Sequence, residues 1–284
     1  MQAPHDIAQH NDLPPLEMNQ ISMDKQGRFM SQCYCGKWNQ RNTETNWYTI
    51  WNIVLGEIFH RIPAAGVAPQ RALQLTRDEM LRRLAAQDNE EAENLSDAST
   101  VTIPAKKAYG RLPDFAIALA IGSACPQHAL HNVFHVDHEF GDVTPVLVEI
   151  KPYISRRTPV DSREFEEELA LEFFDAAGDV YIQALCAFLW YPVLQKVIVI
   201  IASGPWWTFA EVSRTNQQVD RDLRQFVKKP AKDESSKISC AHIEFRQDHG
   251  PLDINDVRWR ILHKEVQTMV EDLETRLAAR LQNQ

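Results

Sequence analysis

Arg111-Leu112-Pro113-Asp114-Phe115-Ala116-Ile117-Ala118-Leu119-Ala120-Ile121 and, further along, Pro145-Val146-Leu147-Val148-Glu149-Ile150-Lys151-Pro152 are the two stretches on which the fold turns. In the second, Val146, Leu147, Val148 and Ile150 read as a buried strand. Glu149 and Lys151 stand two apart, so their side chains leave one face of that strand. Charged groups on an apolar strand are costly unless they are paired, coordinated or turned to a wet cleft. The first stretch, opened by Asp114, reads as a neighbouring strand. Side-by-side pairing of the two lets Asp114, Glu149 and Lys151 converge, which is a metal site with a lysine beside it.

Pro113-Asp114 and Glu149-Ile150-Lys151, 35 positions apart, resemble the PD-(D/E)XK phosphodiesterase superfamily of restriction-type, RecB-like and repair nucleases. The resemblance covers residues 45–215. It implies an α/β fold with a restriction-endonuclease-like core, a mixed β-sheet flanked by helices. To this the chain adds an N-terminal helical region and a long C-terminal helix. It also implies Mg²⁺ or Mn²⁺ held by Asp114, Glu149 and the Ile150 carbonyl. Lys151 would orient or deprotonate the attacking water, or stabilise the charge that develops on phosphorus. An acid on the helix preceding the sheet completes such sites; Glu57 is the candidate, with His60 the rival one turn on. Gln183 matches the glutamine that RecB-like members carry on the helix after the Glu-X-Lys strand. The function implied is a metal-dependent nuclease, with DNA preferred to RNA as substrate. The alternative is a catalytically inactive protein of the same fold that acts as a binding module. A plainer reading makes Asp114 a turn residue after proline and Glu149 with Lys151 a surface pair.

The 284 residues are 44% hydrophobic and 24% charged, enough for a real core in an ordinary globular protein. The polar N-terminus reads as neither a secretory signal nor a transit peptide, and no apolar run reaches the ~18–20 residues that cross a bilayer. Five scattered cysteines argue for a reducing compartment, so an intracellular location, cytoplasm or nucleus, is expected. A net charge of −9 is unusual for a protein expected to bind nucleic acid. The acids cluster, five between Asp88 and Asp97 and eight between Asp161 and Asp179. The bases collect at Lys106, Lys107 and Arg111, at Arg156 and Arg157, and at Lys228, Lys229, Lys232 and Lys237, leaving room for a local basic cleft.

Residues 1–42 show no sustained period and read as a poorly ordered arm, with 43–284 as a single domain. Cys33-Tyr34-Cys35, lacking a second pair, reads as two half-buried thiols. Trp47, Ile50, Trp51, Val54, Leu55 and Ile58 fall on one stripe of a helix that starts near Thr43 and Glu44. Pro63 to Pro69 reads as a break, and Thr76 caps a second helix. Val101 to Ile103 is a short β-type run, Lys106 to Gly110 a turn. His128, His131, His135 and His138 match no zinc spacing and read as a polar loop. From Ser162 a long helix carries Phe165, Leu169 and Phe173 on one stripe, with Gly178 as an expected interruption. Lys196 to Ala202 is a central strand covered on both faces, followed by Gly204-Pro205 and a further strand. Lys228 to Lys237 reads as a mobile loop, Ser239 to Phe245 as an edge strand. The tail from Ile254 is an amphipathic helix that packs on the domain or meets a partner, including a second copy of the chain. No Gly-x-Ser-x-Gly elbow, phosphate-cradling glycine loop or His-Glu-x-x-His helix points to another hydrolase class.

Overall fold

The two quoted stretches pair as neighbouring strands at the centre of a mixed α/β structure. The computed structural model describes residues 19–37, 39, 42–88, 108–120, 123–124, 134–135, 142–228, 243, 245, 252–254, 256 and 258–283. In chain order the elements are α1 (Gln20–Tyr34), α2 (Thr45–Phe59), β1 (Ala65–Pro69), β2 (Leu73–Thr76), α3 (Arg77–Asp88), β3 (Ala108–Arg111), β4 (Phe115–Ala120), β5 (Ser123–Ala124) and β6 (Phe134–His135). Then come β7 (Asp142–Lys151), α4 (Arg163–Trp190), β8 (Lys196–Ser203), β9 (Trp206–Ser213), α5 (Gln217–Lys228), β10 (Leu252–Asp253) and α6 (Trp259–Asn283). An open six-stranded sheet runs β1-β4-β7-β8-β9-β10. It is antiparallel except for β7 and β8, which lie parallel and are joined by the crossover helix α4. Two small ribbons, β2–β3 and β5–β6, stand apart from it.

Register sorts the side chains between the two faces. Ile150 pairs with Ala202, and Ala202 with Trp207, so the three share a face. Trp207 stacks on Trp259 of α6 at 3.6 Å, and Trp51 of α2 meets Trp259 edge-on. That face is therefore closed by α2 and α6, with aromatic rings filling the layer. Glu149 pairs with Ile201, and Ile201 with Thr208, on the opposite face, where α4 packs against β7 and β8. Gly204 makes the β8–β9 turn at φ +58°, where a β-carbon would sit 2.5 Å from Tyr153 Cδ2, so only glycine fits. Its carbonyl accepts from Trp51 Nε1 at 2.9 Å, which ties the turn to α2.

Several expectations are corrected. Within 1–42, residues 20–34 form helix α1 instead of a poorly ordered arm. Asn19 caps it by accepting from the Ser22 N–H. Its buried residues are Ser22, Gln26 and Cys33; Asn19 and Ser22 bond Glu57 of α2, and Phe29, Met30 and Tyr34 pack on the core. Pro63 to Pro69 contains strand β1, with Pro69 at its end on the sheet edge, where a missing N–H costs no ladder bond. Gly178 does not interrupt α4, which runs unbroken for 28 residues. Part of the expected turn at Lys106 to Gly110 is strand β3, paired with β2. Residues 101–107 lie outside the described residues, as do His128, His131, His138 and 229–242. Ile243 and Phe245 belong to no strand, and the sheet edge is β10 instead. The α6 stripe of Leu262, Val266, Met269 and Leu273 is buried against its own domain and is not a free coiled-coil seam. The capping box at Thr76 is formed, with reciprocal bonds between Thr76 and Glu79. Among the described residues no helix is long and apolar enough to cross a membrane.

Candidate active site

The site lies where β4 begins and β7 ends. Phe115 pairs with Val148 in antiparallel register, so Asp114, one residue earlier, falls opposite Glu149 and next to the Ile150 amide. Both its carboxylate oxygens are held: Oδ2 accepts from the Ile150 N–H at 2.6 Å, and Oδ1 from the Tyr48 hydroxyl at 2.5 Å. Tyr48 comes from the first turn of α2, and its ring meets Phe115 edge-on. On the α4 face, Lys151 Nζ donates to Glu149 Oε1 at 3.0 Å and to Asp179 Oδ2 at 2.8 Å. Gln183 Nε2 donates to the other Glu149 oxygen at 2.8 Å. Thus hydrogen bonds join Glu149, Lys151 and Gln183, with Asp114 on the adjacent strand bonded to the amide between the first two.

Glu57 does not join them. Its carboxylate accepts from Asn19 Nδ2 at 2.7 Å and from the Ser22 hydroxyl, on the side of α2 that carries α1. His60, the rival, has its ring Nδ1 against the Glu57 carbonyl at the exposed end of α2. The acid that reaches the site from this helix is Glu44, at the helix start, 3.4 Å from the Tyr48 hydroxyl. The physical reason is end-to-end position: the site meets the N-terminal turn of α2, whereas Glu57 and His60 lie three turns away. Sequence reading took Glu44 as part of a cap. Asp179 was equally missed as one of eight acids in a run, although it stands one helical turn before Gln183 and so on its face. Among the neighbouring bases, Arg156 is spent on structure, donating to the carbonyls of Cys33 and Asn39.

Electrostatics follow from burial and crowding. Desolvation, then repulsion from Asp114, pushes the Glu149 carboxyl up to about 7, against the pull of Lys151 and Gln183. Asp114 is also raised, chiefly by burial, although its hydrogen bonds from Tyr48 and Ile150 oppose the shift. Glu44 is raised by burial and then by Asp114; Glu172 by burial, then by Asp175 and Glu44. Burial works against the Lys151 ammonium, but Glu149 and Asp179 outweigh it and hold the lysine charged. The Gln183 side chain is buried, and its Oε1 has no hydrogen-bond partner among the described residues.

This donor set suits a hard divalent cation. Two carboxylates whose proton affinity burial raises are short of positive charge, and oxygen ligands match Mg²⁺ or Mn²⁺. Asp114 and Glu149 would be the ligands, with the Ile150 carbonyl between them in sequence. Glu44 stands a layer further out, behind Tyr48. Among the described residues no three His, Cys, Asp or Glu side chains are gathered as a ready-made metal cage. No family model, curated protein or solved structure matches the chain.

Proposed function

We propose that the protein is a Mg²⁺- or Mn²⁺-dependent phosphodiesterase acting on nucleic acid, with a restriction-endonuclease-like core. The observation that supports this most is the meeting of Asp114, Glu149 and Lys151 at one end of two adjacent strands, with Lys151 bonded to Glu149 and Asp114 to the amide of Ile150. When bound, the cation would polarise the phosphoryl oxygen and lower the pKa of an attacking water. Asp114 and Glu149 would hold it. The hydrogen bonds from Tyr48, Ile150 and Gln183 keep both carboxylates oriented for that task. Lys151, kept charged by two carboxylates, is a poor general base. Its ammonium serves instead to stabilise the negative charge that grows on the phosphoryl oxygens. An intracellular setting and DNA as the preferred substrate remain part of this proposal.

Labelled single- and double-stranded DNA and RNA, incubated with Mn²⁺ or with EDTA, test it. Cleavage in Mn²⁺ only, lost in Asp114→Ala, is expected; no cleavage of any of the four sinks the enzyme reading. A second reading has one observation in its favour. Glu44, Glu172, Asp175 and Asp179 crowd the approach to Lys151 and repel a polyanion, as suits a module that keeps the fold without the chemistry. Titrating Mn²⁺ calorimetrically separates the two: an inert module shows no site that Asp114→Ala removes.

A further inference from the structure

Helix α4 presents two side chains to β7, and their spacing matches. Asp179 and Gln183 are one turn apart, about 6 Å along the helix. Glu149 and Lys151 are two residues apart on one strand face, about 6.6 Å. Gln183 accordingly reaches Glu149, and Asp179 reaches Lys151 at 2.8 Å. The lysine has a flexible four-carbon stem, and a single carboxylate leaves its head free to swing. Gripped from both sides, the lysine has a side chain only 18% exposed. We propose that Asp179 is a positioning residue, the anchor that holds the Lys151 ammonium over the site; the catalytic consequence rests on the phosphodiesterase reading above. A cation on Glu149 would compete with Lys151 for the same carboxylate, and Asp179 is then the partner left to the lysine. Without it, the ammonium would be driven from the place where charge develops.

The test compares wild type, Asp179→Asn and Asp179→Glu as full-length, metal-free protein. Asparagine has the same shape, and the Asp179 side chain is 37% exposed, so the variants should melt as wild type does. The first readout needs no activity: acylation of the Lys151 amine by a water-soluble reagent, followed by mass spectrometry. Asp179→Asn should label at least about threefold faster, Asp179→Glu close to wild type, because a freed lysine head samples solvent. Equal labelling of wild type and Asp179→Asn overturns the anchor. The second readout is Mn²⁺-dependent cleavage. In Asp179→Asn kcat should fall about tenfold to a hundredfold with KM nearly unchanged, and Asp179→Glu should recover most of it. A loss confined to KM, or no loss, overturns the positioning role. A wild type that cleaves nothing removes the phosphodiesterase reading, while the labelling result still decides whether Asp179 holds the lysine.

Discussion

Ile150 and its two neighbours, Glu149 and Lys151, point to opposite faces of strand β7, and the faces differ in nearly every respect. On one, Ile150, Ala202 and Trp207 lie in a cross-strand row, sealed by the Trp207–Trp259 stack. On the other, two carboxylates grip an ammonium and an amide donates to one of them, its own oxygen meeting no hydrogen-bond partner among the described residues. The period of two lets one strand do both, because successive residues see different solvents. Packing on the dry face holds the backbone still, so charges on the other face can be kept in an arrangement that burial disfavours. The comparison predicts that substitutions on the first face act on stability and those on the second on chemistry.

The largest effect is expected from the dry face. Trp207→Ala deletes the ring that stacks on Trp259 and should cost about 3–5 kcal/mol in urea unfolding; a loss below about 1 kcal/mol would remove the contrast. Next comes Lys151→Ala. It should abolish cleavage, a loss of at least about a hundredfold, while unfolding midpoint and Mn²⁺ binding stay close to wild type. Unchanged cleavage would count against the lysine's role, and a collapsed midpoint would make its face structural after all.

A third prediction sharpens the electrostatic side. The Glu149 carboxyl keeps its proton up to about 7 in the fold against 4.5 for the ordinary group. Between those values the folded protein carries the extra proton, so this group's contribution is full below 4.5 and is lost as pH rises through about 7. For metal-free protein the loss is on the order of 2 kcal/mol. Glu149→Gln lacks that dependence and should gain on wild type between pH 5 and pH 8; parallel stability curves would refute the burial argument. Smallest is Tyr48→Phe, which removes one donor from Asp114. Calorimetric Mn²⁺ affinity should weaken about tenfold, with little change in fold stability.

How much could be read in advance depended on how local the cause was. Val146 to Ile150 and Lys196 to Ala202 are apolar runs too short for helices, and both are central strands. Phe165 and Leu169 face inward on a helix whose start Ser162 caps. Helix α1 shows no clear stripe because two of its three buried residues, Ser22 and Gln26, are polar. Strand β1 was hidden by Pro63 before it and Pro69 at its end, although the edge position tolerates the latter. Glu149 and Lys151 were found through spacing on their strand, and Asp114 and Gln183 with the help of the family resemblance. Glu44 and Tyr48 were not, since both reach the site only through the packing of α2, and Asp179 was lost among the eight acids of its run.

Alternation, a local consequence of backbone geometry, therefore determined which residues of β7 share a face and that an acid and a lysine would stand together on it. Which end of α2 meets the sheet, and so that Glu44 approaches while Glu57 turns to Asn19 and Ser22, was decided by packing alone. The reason is that a helix stripe specifies the face to be buried but says nothing about how far the helix slides along its own axis. That distance is settled by interlocking side chains such as Trp51 against Trp259 and Tyr48 against Phe115, contacts between residues far apart in the chain.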